Sequence, residues 1–148
     1  MSPAHVNLDL ALKQAILKLG GQSGTVHLTD SVRDVLLLSV SHNVPDEVLD
    51  RVREVPWGKG MAGIAAERAE PVNFCNLQTS SSKDIHAPAR TIGVRGAIVV
   101  PLLHGGDVVG TLGIGCPTER AFTEHDVDWL MDFGRKLAHR IDENRIAA

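Results

Sequence analysis

Residues 7–19 carry Leu8, Leu12, Ala15, Ile16 and Leu19 at helical spacing, with Lys13 and Lys18 outside the stripe. Gly20 and Gly21 follow where a helix commonly stops, so the pattern predicts a first helix ending there. Residues 25–29 are short and β-prone, Asp30-Ser31 marks a turn, and residues 34–41 have a continuously apolar centre. This reads as a hairpin whose second strand is covered on both faces. Residues 47–55 admit a helical turn, from the spacing of Val48, Leu49 and Val52, or a third strand. After a glycine-rich turn and about two helical turns, residues 71–74 read as a short strand. Residues 95–104 and 108–116 form two further strands around Gly105-Gly106-Asp107. In the last strand Val108, Leu112, Ile114 and Cys116 share one face, and Val109, Thr111, Gly113 and Gly115 the other. The small face invites close packing of another backbone, for which the terminal helix is the candidate. Thr123, with Asp126 three residues on, is a capping-box-like start to that helix. Its stripe of Val127, Leu130, Gly134, Leu137 and Ile141 suits either the subunit's own sheet or a symmetric helical interface.

The 148 residues suffice for one domain with a proper core, and no internal repeat is visible. A net charge of -3 gives no reason to expect nucleic acid or an anionic membrane as partner. The longest apolar runs are strand-sized, so no membrane span is expected. The N-terminus lacks a secretory pattern, which points to a cytoplasmic protein. Two cysteines are too few for a disulfide scaffold. Tyrosine is absent, which argues against an aromatic platform for bases or a flat pigment.

Gly58, Gly60 and Gly63 have the G-x-G-x-x-G spacing of dinucleotide-binding turns, but the long helix and second strand that such a site requires are missing. Glycines that form a tight turn and let a short helix lie close on a sheet explain the spacing better. The surrounding sequence, Trp57-Gly58-Lys59-Gly60-Met61-Ala62-Gly63 followed by Glu70-Pro71-Val72, resembles the central motif of GAF domains, which are small-molecule sensing modules related to PAS domains. The apolar strand before Pro101-Leu102, the segment from Gly105 to Leu112, and Ala121-Phe122-Thr123-Glu124-His125-Asp126 agree with it. The resemblance covers roughly residues 8–145. It implies an α+β fold with a central antiparallel sheet, the N- and C-terminal helices on one face and a small-helix and loop pocket on the other. It also favours an extended approach to Pro56, and pairing of terminal helices across a homodimer.

The irregular residues 76–93 form the connection expected to close over a ligand, since a long connection in a compact domain is usually functional or disordered. Asp84, His86, Arg90, Thr91 and Arg95 are the polar residues expected to face the pocket. Two arginines favour an anionic or carboxylate-bearing ligand, because guanidinium pairs bidentately with such groups. Pairing of Arg90 and Arg95 with Asp84 or Glu119, simply pinning the loop, is the competing reading. The stretch 83–90 resembles the pocket lining of phytochrome-type GAF domains, but it has His86 where that stretch has proline and lacks the cysteine that would hold a pigment. Residues 73–76 resemble the cyclic-nucleotide branch only faintly.

A nucleophilic or redox cysteine needs a nearby cation, helix terminus or base. Cys75 and Cys116 sit at strand ends and read as inert thiols, whereas the free methionine sulfoxide reductases of the GAF family use several clustered cysteines. His27, between Val26 and Leu28, reads as a structural donor in its strand. His86, His104, His125 and His139 are scattered in sequence, without metal-ligand spacing. The sequence therefore predicts a single GAF-like domain that senses a small molecule without catalysis, as a homodimer or through a separate signalling protein, with no cofactor named. The alternatives are a small reductase using Cys75 or Cys116, and a ligand-free dimerisation module.

Overall fold

The computed structural model describes residues 7–30, 32–74, 96–118 and 122–147. In chain order the elements are α1 (Leu8–Leu19), β1 (Ser23–Asp30), β2 (Val35–His42), α2 (Asp46–Val52), β3 (Glu54–Pro56), α3 (Gly60–Arg68), β4 (Val72–Phe74), β5 (Gly96–His104), β6 (Asp107–Cys116) and α4 (Glu124–Ala147). The strands form one six-stranded antiparallel sheet in the order β3-β2-β1-β6-β5-β4. The fold is α+β, as the sequence predicts.

Local chemistry sets the helix ends. The Asn7 side chain accepts the Leu10 N–H at 3.0 Å, and Gly20 adopts the left-handed conformation (φ 67°) that closes α1. At α4, the Asp126 carboxylate accepts the Thr123 N–H at 3.0 Å and the Thr123 hydroxyl accepts the Asp126 N–H at 3.1 Å, a reciprocal cap. The two readings of residues 47–55 both occur: α2 ends at Val52, and β3 pairs with β2 from Glu54.

The sheet separates two cores. Leu12, Ala15, Ile16 and Leu19 of α1 and Leu130, Leu137, Ala138 and Ile141 of α4 pack with Val26, Ile98, Val100, Leu102, Leu112, Ile114 and Cys116 on one face. Met61, Ile64 and Ala65 of α3 pack with Val72, Ala97 and Val99 on the other. The period of two along β5 divides the strand between them.

One open alternative is decided here, and three sequence expectations are corrected. The stripe of α4 covers the sheet of its own chain, with Leu130, Leu137 and Ile141 buried. The close approach of α4 comes from the helix and not from β6, since a Cβ at Gly134 would lie 3.1 Å from Leu102 Cδ2 and 3.6 Å from the Pro101 carbonyl oxygen. Val109, not Val108, joins the helix-side core, because the β5–β6 register shifts between Leu102 and Leu103 and breaks strict alternation. Finally, β2 is not covered on both faces. Leu37 is 38% exposed because β2 lies one strand from the sheet edge, with only the three-residue β3 beyond it.

Candidate functional site: a cavity on the sheet face opposite the terminal helices

On the α3 side of the sheet, β1, β6 and β5 form the floor of a cavity of about 180 Å³. Gly113 and Gly115 contribute no side chain there, so the small face of β6 leaves volume open where a helix was expected. Val48 and Val52 of α2, Val55 of β3 and Met61 and Ala62 of α3 line it, facing Ala97 and Val99 of β5. The wall is mostly apolar with a few polar groups, the usual character of a small-molecule site.

The turn before α3 holds this wall in place. The Gly58 N–H donates to the Gly63 carbonyl at 2.8 Å and the Gly63 N–H to the Lys59 carbonyl at 3.1 Å. A Cβ at Gly63 would overlap the Pro56 carbonyl oxygen, so glycine is required for the helix to lie this close to the chain entering it. The Gly58 amide is thus used within the fold, which agrees with reading the glycines as packing residues.

The polar contributions come from Ser23, Thr25 and His27 of β1, with Arg51, Glu54 and Lys59 the charged residues of the wall. Glu54 is engaged by Arg33 at 2.7 Å. Arg51 and Lys59 are exposed and form no ion pair among the described residues. His27 is only 3% exposed. The β1–β2 register shifts between Val26 and His27, where Ser39 is the extra residue on β2; β1 itself keeps its alternation, with Ser23, Thr25 and His27 on the cavity and Val26 and Leu28 in the helix-side core. The His27 Nε2–H donates to the Val52 carbonyl at 2.8 Å, tying β1 to the end of α2. Burial holds its pKa below the ordinary value of 6.5, partly opposed by that hydrogen bond. Its Nδ1 is buried and has no hydrogen-bond partner among the described residues.

The predicted ligand residues Asp84, His86, Arg90, Thr91 and Arg95 lie outside the described residues, as does Cys75. Cys116 is 2% exposed in the helix-side core, its Sγ 3.9 Å from the Gly20 carbonyl oxygen. Sequence reasoning assigned His27 a structural donor role, which it has, but missed its place in the cavity wall. The signal that could have found it is the alternation along β1, which sets His27 on the face opposite Val26 and Leu28. The other histidines are less scattered than their sequence positions suggest. His104 Nε2 and His139 Nδ1 are 2.9 Å apart, with Asp142 2.6 Å from His104 and Glu143 3.1 Å from His139. No group able to hold a metal occurs among the described residues.

A family model described as GAF domain matches residues 7–142. The chain belongs to the GAF domain family. Solved structures share its fold. The GAF domain of a phosphoenolpyruvate-protein phosphotransferase from Acinetobacter superposes with a TM-score of 0.79 at 19% identity, over 95% of this chain and 82% of that one. The corresponding domain from Coxiella burnetii gives 0.78 at 22%, over 97% and 88%. Free methionine-R-sulfoxide reductase from Neisseria meningitidis, solved in complex with its substrate, gives 0.76 at 25%, over 95% and 80%. No curated protein matches the chain in sequence. Among the described residues, no helix is long and apolar enough to cross a membrane.

Proposed function

We propose that this GAF domain binds a small molecule in the cavity between the sheet and α2–α3 and acts as a non-catalytic sensor. The observation that carries the reading is the cavity itself, a mostly apolar, partly open hollow with the buried His27 in its wall. Its volume, below the roughly 300 Å³ at which drug-sized pockets begin, suits a compact metabolite. The cations Arg51 and Lys59 favour an anionic group at its edge, alongside the anionic preference expected of Arg90 and Arg95. Signalling would pass to a second copy of the chain or to a separate protein. Leu10 and Leu17 of α1 stand exposed, and the stacked Trp129 and Phe133 of α4 are only partly buried, which supports association through the helical face.

The reductase from Neisseria meningitidis motivates a second reading, a small redox enzyme. Cys116 gives it no support, since it packs on the helix side of the sheet, away from the cavity wall. That reading rests on Cys75. A sulfoxide reductase assay before and after thiol alkylation tests it, and turnover that alkylation abolishes would replace the sensor reading.

The sensor is tested by thermal shift across small carboxylates, amino acids and nucleotides, with Ala62→Trp as the control that fills the cavity from α3. A stabilising compound whose effect disappears in Ala62→Trp supports the reading. No shift with any compound, together with an unliganded protein from cells, would leave a ligand-free interaction module.

A further inference from the structure

Two adjacent rows of the sheet meet at the cavity floor. Gly113 of β6 pairs with Thr25 of β1 on one side and Val99 of β5 on the other, and Gly115 pairs likewise with Ser23 and Ala97. All six residues line the cavity. They share its face because Leu112, Ile114 and Cys116, which alternate with the two glycines, lie in the helix-side core. The middle strand therefore offers bare backbone, with hydroxyl-bearing residues along one flank and aliphatic residues along the other.

The geometry at Gly113 shows what this trough presents to a guest. A Cβ placed there would lie 3.3 Å from Val99 Cγ2 and 3.5 Å from Thr25 Oγ1, and the next neighbour, the Ile98 carbonyl oxygen, is 3.9 Å away. Thr25 thus turns its hydroxyl, not its methyl group, toward the space above the glycine. That hydroxyl is open to the cavity. Thr25 keeps accessible surface although β1 lies between β2 and β6, its side chain stands on the cavity side, and no described residue hydrogen-bonds to its hydroxyl. Room for a carbon-sized group is left on the strand backbone, touched by a hydrogen-bonding oxygen on one flank and a methyl group on the other. A side chain at position 113 would occupy that room.

These flanks select the end of the ligand that enters. An isopropyl end would desolvate the Thr25 hydroxyl without replacing its hydrogen bond. A carboxylate would set a charged oxygen against the Val99 methyl at the cost of its hydration. A planar group with one acceptor oxygen and one methyl branch satisfies both flanks, because a threonine hydroxyl can donate to the oxygen. Arg51 and Lys59 on the wall remain for an anionic group at the other end.

Resting on the sensor reading above, we infer that Gly113 is the specificity-determining residue of the cavity and that the ligand is a short anionic molecule ending in an acetyl-type group. Its carbonyl oxygen accepts from Thr25 and its methyl group lies on Val99. The hydroxyl then favours a ketone over its branched-alkyl counterpart on the order of tenfold, the value of one net hydrogen bond.

Levulinate and isocaproate are the matched probes, since they share a chain length and carry a carbonyl oxygen or a methyl group at the same carbon. In NMR titrations the wild type binds levulinate about tenfold more tightly than isocaproate, and the levulinate methyl shows a nuclear Overhauser contact with the Val99 methyls. Thr25→Val, which keeps the shape and replaces the hydroxyl by a methyl group, removes the preference while isocaproate still binds. Gly113→Ala weakens both probes by about tenfold or more, since its methyl group takes the place of theirs. Equal affinity of the wild type for the two acids, binding of neither, or a preference that survives in Thr25→Val overturns the inference. So does unchanged affinity in a folded Gly113→Ala. Should that variant not fold, Thr25→Val and the Val99 contact decide. These outcomes leave the sensor reading to the separate Ala62→Trp experiment, which does not depend on Thr25 or Gly113.

Discussion

His27 and Val52 are joined by a hydrogen bond of 2.8 Å that crosses from β1 to the last residue of α2. The bond and the burial of the ring make His27 a pH-sensitive element of stability. Its folded pKa is lowered below 6.5, so as pH falls the unfolded chain takes up this proton first. The contribution is fully present above pH 6.5 and is lost as pH falls from there toward the depressed folded value. The slope approaches about 1.4 kcal/mol per pH unit where only the unfolded chain is protonated. Denaturant unfolding at stepped pH should show this component in the wild type and not in His27→Gln.

Gly63→Ala should destabilise the domain by about 1–3 kcal/mol, the usual range for forcing extra atoms into a packed site. The added methyl group meets the Pro56 carbonyl, so relief requires movement of the turn that carries Lys59 and Met61 on the cavity wall. Urea denaturation measures the loss.

Leu137→Ala should cost about 2–5 kcal/mol, because this residue is 4% exposed within its own chain. Leu17 is 83% exposed on α1, so Leu17→Asp should leave folding intact. If the helical face joins two copies, light scattering will show Leu17→Asp shifted toward monomer at a concentration where the wild type is associated. An unchanged mass would remove Leu17 from any interface.

Thr123→Ala should weaken the start of α4 by about 1 kcal/mol, since the reciprocal hydrogen bonds with Asp126 satisfy donors that the helix otherwise leaves unpaired. Thermal unfolding followed by circular dichroism checks it. Aspartate at position 123 should recover most of the loss, because its carboxylate can also cap.

The helices and most strands were legible because their signals are local. Leu8 to Leu19 repeats at helical spacing, Gly20 stops it, and Thr123 with Asp126 marks the last helix. Which surface met which was less legible. The glycine face of β6 and Gly134 are both small-residue signals for close approach, and sequence spacing does not say that one borders empty space while the other receives Leu102. The cavity was obscured for the same reason. His27 faces it by the alternation of β1 and Arg51 through the placement of α2, but which face of the sheet stays open depends on how α2 and α3 pack against strands distant in the chain.

The central claim is that the space between the sheet and α2–α3 holds a guest. Native mass spectrometry of protein purified gently from cells, wild type beside Ala62→Trp, measures this most directly. The account predicts an added small-molecule mass on the wild type that is released on denaturation and is missing from the folded variant. Identical, unliganded masses for both proteins, with no added mass recovered on supplying cell metabolites, would contradict it.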